Sequence, residues 1–360
     1  MHIKIKKSVL ADCLKIVNGA ISSKPSIPVL TAIKFEVSNG NLILTASDGS
    51  FTIKTKSEDF ETIKDGAVLV ESKVITDAVS KSNGEMELIV TDKKFTIKNK
   101  RAKFKINKLD LDLYPQIAFN SLGSKFLIDS DVFTHAVNRV INSVSTQENR
   151  PVLTGVNLKA LNNKLTFIAT DSFRVSKTTI DIDSDVELNI VIPDKTIKEI
   201  VKNATGTLKV STNEKQLLIE IEDVIFLTNL IDAAYPNIDN VIPTEFNTTV
   251  TVDRSNLINS VNRSSFIKDS NNIWLLKLTI EDEKMAIEAS TEEVVSSFEE
   301  MPITLSGNKM IISLNGNFLL NALRSLEDES VDIMLNGDNQ PLIVNDTTNQ
   351  TQLILPVRTA

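Results

Sequence analysis

Cysteine is nearly absent. Cys13 is the only one, so no internal disulfide can form, and its place on the apolar side of a helical segment reads as a buried structural thiol rather than a reactive one. Histidine is equally scarce. His2 and His135 lie near no cysteine and no second histidine at ligand spacing, so a zinc site is not expected. No apolar run approaches the ~18 residues of a membrane helix, and no membrane partner is expected. The opening MHIKIKKSVLADC has no long apolar core, so a signal peptide is not expected and the expected compartment is the cytoplasm. A Gly-rich phosphate loop and a nucleophile elbow are missing. The chain therefore reads as a non-enzyme, with no catalytic residues, metal or cofactor expected.

What the chain has is repetition. PVLTAIKFEVSNGNLILTASDGSFTIK at 28–54 lies ungapped over PVLTGVNLKALNNKLTFIATDSFRVSK at 151–177, and a fainter copy, KMAIEAST at 284–291, aligns with NLILTASD at 41–48. VLVESKVITDAVSK at 68–81 matches IVIPDKTIKEIVKN at 190–203 and IISLNGNFLLNALR at 311–324, and LYPQI at 113–117 matches AYPNI at 234–238. Each copy also opens with a helical segment. A period of about a third of the chain is too long for a solenoid, whose repeats run ~20–50 residues, and suits an independent domain. The reading is three domains: 1–122, 123–244 and 245–360.

Strand signals dominate within each repeat. FEVSNGNLILTAS is two alternating runs about Asn39-Gly40, a strong hairpin signal, and 86–99, 208–223 and 277–290 repeat the form. Each repeat should hold two helices and roughly eight strands, each half-repeat being one helix on one small sheet. The fold class is α+β, with two helices per domain packed on antiparallel sheets. Asp48 and Asp171 occupy equivalent places after a strand, which reads as turn chemistry rather than catalysis.

The net charge of −8 argues at first against a nucleic-acid partner. Its distribution argues otherwise. The helical windows 7–24, 73–81, 131–142, 195–202, 254–268 and 317–326 carry +2, +1, 0, +2, +3 and +1, a total of +9 against −17 elsewhere. A basic helix face is ordinarily just solvated, but basic helices among acidic strands also suit a sequence-independent phosphate track.

ATDSFRVS at 169–176, YPNI at 235–238 and LILPVR at 353–358 resemble the bacterial DNA sliding clamp family, the beta subunit of DNA polymerase III. The similarity extends over the whole chain, its three repeats and the order of its six helices. The resemblance implies a head-to-tail homodimer forming a six-domain ring, with helices lining a hole threaded by duplex DNA without base readout. It implies a processivity factor that tethers the replicative polymerase, and partners that include the clamp loader and other proteins carrying short motifs. By the same resemblance, Lys15, Lys24, Arg139, Lys198, Lys202, Arg263 and Arg324 face the DNA. Phe104 and Ile106 meet Phe266 and Ile267 of the second protomer.

The resemblance further implies a peptide pocket between domains two and three. Its positions here are Leu153, Thr170, Ser172, Phe173, Arg174, Val175, Pro236, Val241, Asn315, Phe318, Pro341, Leu355, Pro356, Val357 and Arg358. Leu153 and Val175 also fit as plain core. The chain departs from the family at Ser172 and Phe173, where Gly and His are frequent, at Asn240, where some members carry Arg, and in Thr359 and Ala360 after the final Arg. Two rival readings stand beside the clamp: a β-rich scaffold that binds proteins but no DNA, and an enzyme, which would need a convergent polar site.

Overall fold

The computed structural model describes every residue except 101, 121, 292–294, 349, 359 and 360. The first repeat runs β1 (His2–Lys6), α1 (Lys7–Val17), β2 (Ala32–Ser38), β3 (Asn41–Ser47), β4 (Phe51–Ser57), β5 (Phe60–Lys64), β6 (Gly66–Glu71), α2 (Ser72–Ser80), β7 (Glu85–Val90), β8 (Lys94–Lys98) and β9 (Lys103–Asn107). The second runs β10 (Ser124–Asp129), α3 (Ser130–Val140), β11 (Gly155–Leu161), β12 (Lys164–Thr170), β13 (Arg174–Asp181), β14 (Leu188–Pro193), α4 (Asp194–Asn203), β15 (Thr207–Thr212), β16 (Gln216–Ile221) and β17 (Val224–Asn229). The third runs β18 (Thr248–Asp253), α5 (Arg254–Arg263), β19 (Leu275–Ile280), β20 (Lys284–Thr291), β21 (Val295–Pro302), β22 (Thr304–Ser306), β23 (Met310–Asn315), α6 (Gly316–Ser325), β24 (Ser330–Leu335), β25 (Leu342–Asn345) and β26 (Gln350–Ile354).

The hairpin turns follow from residue type. Asn39 and Gly40 both take positive φ, 51° and 75°, the backbone that lets a two-residue turn match strand twist. Asn162 and Asn163 reach the same region, at 53° and 58°, without glycine, because asparagine tolerates left-handed backbone.

The chain forms two compact units, Met1–Val132 with Lys195–Leu230 and Phe133–Asp194 with Ile231–Ala360. The first holds a five-stranded sheet, β5-β1-β7-β8-β9, and an eight-stranded sheet, β10-β15-β16-β17-β4-β3-β2-β6. The second holds a nine-stranded sheet, β14-β11-β12-β13-β26-β25-β24-β18-β22, and a four-stranded sheet, β21-β20-β19-β23. One small sheet per half-repeat was therefore the wrong expectation. β17 of the second repeat pairs with β4 of the first, with Phe226 opposite Ile53. β26 of the third pairs with β13 of the second, with Leu353 opposite Val175. An edge strand carries a row of unpaired N–H and C=O groups, and the neighbouring repeat satisfies it.

The helices bury one stripe each, as the apolar spacing predicts. α1 buries Leu10, Cys13, Leu14 and Val17, and burial pushes the Cys13 thiol up to about 11. α4 buries Thr196, Ile197 and Ile200, and α5 buries Leu257, Ser260 and Val261. In the second unit Trp274 is wholly buried. Its Nε1 donates to Ser264 Oγ at 3.3 Å and its carbonyl accepts from Gly316 N at 2.8 Å.

Gly316 opens α6 because nothing larger fits. A Cβ there would stand 2.3 Å from Trp274 Cδ2, and the ring is hemmed in by the core. Gly316→Ala should destabilise the protein by roughly 2 kcal/mol through overpacking, read as a lower urea midpoint. An unchanged midpoint would show that the Trp274 cage is loose.

Candidate functional site

The turn between β12 and β13 is built by one carboxylate. Asp171 Oδ1 accepts from Phe173 N at 3.0 Å and Arg174 N at 3.1 Å, and Oδ2 accepts from Arg174 Nε at 2.9 Å. Ser172 is held at φ 79°, with its N–H on Thr170 Oγ1 at 3.1 Å. The Arg174 guanidinium, so tethered, lies over the Phe318 ring at 4.4 Å from its centroid. Burial lowers the Arg174 pKa and the adjacent Asp171 opposes that shift. Asp48 does the same turn work in the first repeat, accepting from Phe51 N at 2.8 Å and Ser50 N at 3.0 Å, with Lys195 Nζ at 2.7 Å on its other oxygen. Burial works against the Asp48 carboxylate, yet Lys195 and the two amides hold its pKa below the ordinary value.

Around this turn four distant segments meet in a cleft of about 250 Å³ within the second unit. Pro151–Thr154 forms a tight helical turn, closed by Thr154 Oγ1 donating to Pro151 O at 2.7 Å, and it presents Leu153. The segment after β17 brings Pro236, Asn237, Ile238 and Val241, and the third repeat brings Pro341, Leu353 and Leu355. The apolar floor is continuous with a buried cluster of Ile168, Val175, Ile238, Ile343 and Leu353. Arg150 stands at the cleft with Nη1 donating to Ser172 Oγ at 3.2 Å. Beyond β26 the chain stays tied down: Leu355 N donates to Phe173 O at 2.9 Å and Val357 N to Ser313 O at 2.8 Å. An apolar floor with a few polar groups at its edge suits an extended peptide that buries one or two bulky side chains.

Of the residues expected at the pocket, Leu153, Thr170, Ser172, Arg174, Val175, Pro236, Val241, Pro341 and Leu355 line this cleft. The others do not. Phe173 is 56% exposed at the tip of the turn. Asn315 caps α6, its side chain accepting from Asn317 N at 2.9 Å. Phe318 lies against Arg174 and lines a small neighbouring cavity that shares Arg174 and Leu353 with the cleft. Pro356 and Val357 are half-buried and Arg358 is exposed. Arg150, Asn237, Ile238 and Leu353 line the cleft without having been expected. Asn237 and Ile238 stand inside the YPNI segment itself, and Leu353 alternates with Leu355 on one strand face, so period-two counting would have found them.

The expected DNA-facing residues divide. Lys15, Lys24, Lys198, Lys202, Arg263 and Arg324 are exposed, though Lys24 lies in the loop beyond α1 rather than on a helix. Arg139 is a correction: its side chain is only 10% exposed and its Nη2 lies 3.1 Å from Glu327 Oε2. Helical periodicity could not show that a distant loop would supply that carboxylate. Lys202 and Arg263 are exposed but paired with Glu199 and Glu299. Of the expected dimer contacts, Phe266 is 72% exposed and Phe104 half-buried, whereas Ile106 is buried and Ile267 is 1% exposed within the Trp274 core. Those two isoleucines are core residues of their own chain. No helix among the described residues is long and apolar enough to cross a membrane, and no group of three or more His, Cys, Asp or Glu among them could hold a metal.

Three repeated α+β domains, their sheets fused across repeats and carrying an apolar cleft at the second seam, define a clamp-type fold. The chain matches the sequence profiles of the DNA polymerase III beta subunit: N-terminal domain at 1–118, central domain at 127–237 and C-terminal domain at 239–358. It is 30% identical to the beta sliding clamp of Streptococcus pneumoniae (strain ATCC BAA-255 / R6) and 29% identical to that of Bacillus subtilis (strain 168), with all of both chains covered in each case. The crystal structure of the Bacillus subtilis DNA polymerase sliding clamp superposes with a TM-score of 0.96 at 27% identity, again over the whole of both chains. The chain belongs to the beta sliding clamp family, the non-catalytic processivity factors of DNA polymerase III.

Asp171 separates a structural from a chemical role. Asp171→Ala removes three hydrogen bonds and leaves the mostly buried Arg174 unpaired, so it should cost roughly 2 kcal/mol. Asp171→Asn, which keeps an acceptor for the two amides, should cost less. Urea unfolding of both variants checks the order, and equal midpoints for all three proteins would refute it.

Proposed function

We propose that two copies close head to tail into a ring of six domains, with limits 1–122, 123–244 and 245–360 in each chain. The ring encircles duplex DNA in the cytoplasm, and its clefts receive short motifs from the replicative polymerase, the clamp loader and other proteins. The observation that carries the tethering role is the cleft itself, an apolar floor between a pinned turn and the C-terminal strand, with Arg150 and Ser172 at its edge. Burying one apolar side chain contributes about 1.5–3 kcal/mol before ordering costs. A single motif therefore binds weakly and exchanges, which suits partners that take turns.

Ring closure has support in the sheet edges. The junctions β17 with β4 and β26 with β13 occupy equivalent places in successive repeats. The next equivalent pair is β9 with β21, and both are edge strands within their own units. A second copy would bring β9 of one chain against β21 of the other, an arrangement that closes with twofold symmetry. Phe298 on β21 is 61% exposed and takes the place of Ile267 as the apolar contact opposite Phe104. The exposed Lys15, Lys198, Lys202, Arg263 and Arg324 serve as the phosphate-facing cations, and acidic side chains elsewhere repel DNA from outside.

A topological test separates a ring from an ordinary binder. Protein loaded on nicked circular DNA should stay bound through gel filtration and fall off after linearisation. Phe298→Asp should sediment as a monomer and fail to be retained. Retention on linear DNA would argue against encirclement.

The cleft has its own test. Deleting Pro356 to Ala360, of which Thr359 and Ala360 lie outside the described residues, should weaken binding of a labelled polymerase-tail peptide about tenfold or more. Sedimentation should stay that of the full chain. Unchanged anisotropy titrations would move the site elsewhere.

A further inference from the structure

The first unit contains a larger cleft, about 630 Å³, that the peptide site does not account for. It lies between the outer face of β2, β3 and β4 and the segment Leu111–Phe119 that crosses them. Lys34, Ile43, Thr45 and Lys54 rise from the strands, and Ile117 and Phe119 face them from the segment. This segment is the first repeat's copy of the one carrying Pro236 and Ile238, and the two places differ in a telling way.

In the second repeat the corresponding lysine, Lys177, has a counterion: its Nζ lies 2.7 Å from Asp239 Oδ1. Ile168 and Ile238 belong to one buried cluster. In the first repeat Asp239 is replaced by Ala118 and Ile168 by the shorter Thr45. Lys54, in the position of Lys177, has no carboxylate within ion-pair distance among the described residues. Its Nζ stands 4.3 Å from the Phe119 ring centroid. Glu36 and Asp112 also line the cleft; Glu36 is engaged by Lys34 at 2.8 Å, and Glu220 and then Glu36 raise the Lys54 pKa without an ion pair to it. Burial pushes the Lys54 amine below its ordinary pKa, as expected of a partly desolvated cation without a partner.

We propose that this cleft is a second docking site, which takes an acidic side chain flanked by apolar residues from a partner protein. The carboxylate occupies the place that Asp239 fills beside Lys177 and bonds to Lys54 Nζ. The flanking apolar groups lie against Ile43 and Ile117. The carboxylate supplies the missing counterion, and a charge-assisted bond at a half-buried amine is stronger than one in open water.

The full-length protein and the probe acetyl-Leu-Glu-Leu-amide test this by isothermal titration. The wild type should bind it, and the Gln counterpart should bind about tenfold more weakly. Lys54→Met should lose the preference for Glu over Gln. Ala118→Asp restores the counterion present in the second repeat, so it should keep or raise the thermal midpoint while abolishing binding. Unchanged affinity in Ala118→Asp, or no discrimination between the Glu and Gln peptides, would overturn the proposal. Equal competition by inorganic phosphate at the peptide's concentration would also overturn it, in favour of a simple anion site.

Discussion

Backbone pairing across repeat boundaries is the interaction on which the rest depends. Strands β4 and β13 would each end a sheet with unpaired amides and carbonyls, and each is covered by the last strand of the following repeat. The consequence is that the middle repeat has no sheet of its own. Its two halves belong to different sheets and different compact units. Apolar side chains ride on these seams: Phe51 stacks with Phe226 at 6.3 Å on one, and Val175 faces Leu353 on the other. Burial and hydrogen bonding therefore reinforce each other where the repeats join.

The peptide-sized cleft sits at one of these seams, which explains how segments from two repeats come to line it. Polar contacts beneath the surface hold its wall. Arg174 is held by Asp171 and by the Phe318 ring. Behind it Ser176 bonds Ser143 and Gln352, and Gln352 Nε2 donates to the Arg139 carbonyl at 3.0 Å. Buried polar groups satisfied in this way favour one arrangement of the cleft wall.

Divergence between the repeats tells the two seams apart. Lys195 reaches Asp48 across one junction, while its counterpart in the other is Gly316, forced to be small by Trp274. Asp171 therefore turns to Arg174 in its own turn instead. The same logic separates Lys177, neutralised by Asp239, from Lys54, which lies over the Phe119 ring. Similar folds thus carry different surfaces through single exchanges of a charge or a methyl group.

Much was legible in the amino-acid order alone. The threefold repeat, the hairpins, the six helices with their buried stripes, and the turn role of Asp48 and Asp171 are local or periodic properties, set by φ preferences and by which residues recur on one face. The resemblance carried in ATDSFRVS, YPNI and LILPVR pointed to most of the cleft. What local pattern could not contain is what distant segments do to a residue. Exposure at Phe298, the pairing of Arg139 with Glu327, the burial of Ile267 against the Trp274 core and the fusion of half-repeats into long sheets each depend on chain brought together from far apart. Tertiary structure decided those, because a strand edge, a cation and an apolar ring are each satisfied by whichever partner the whole fold delivers.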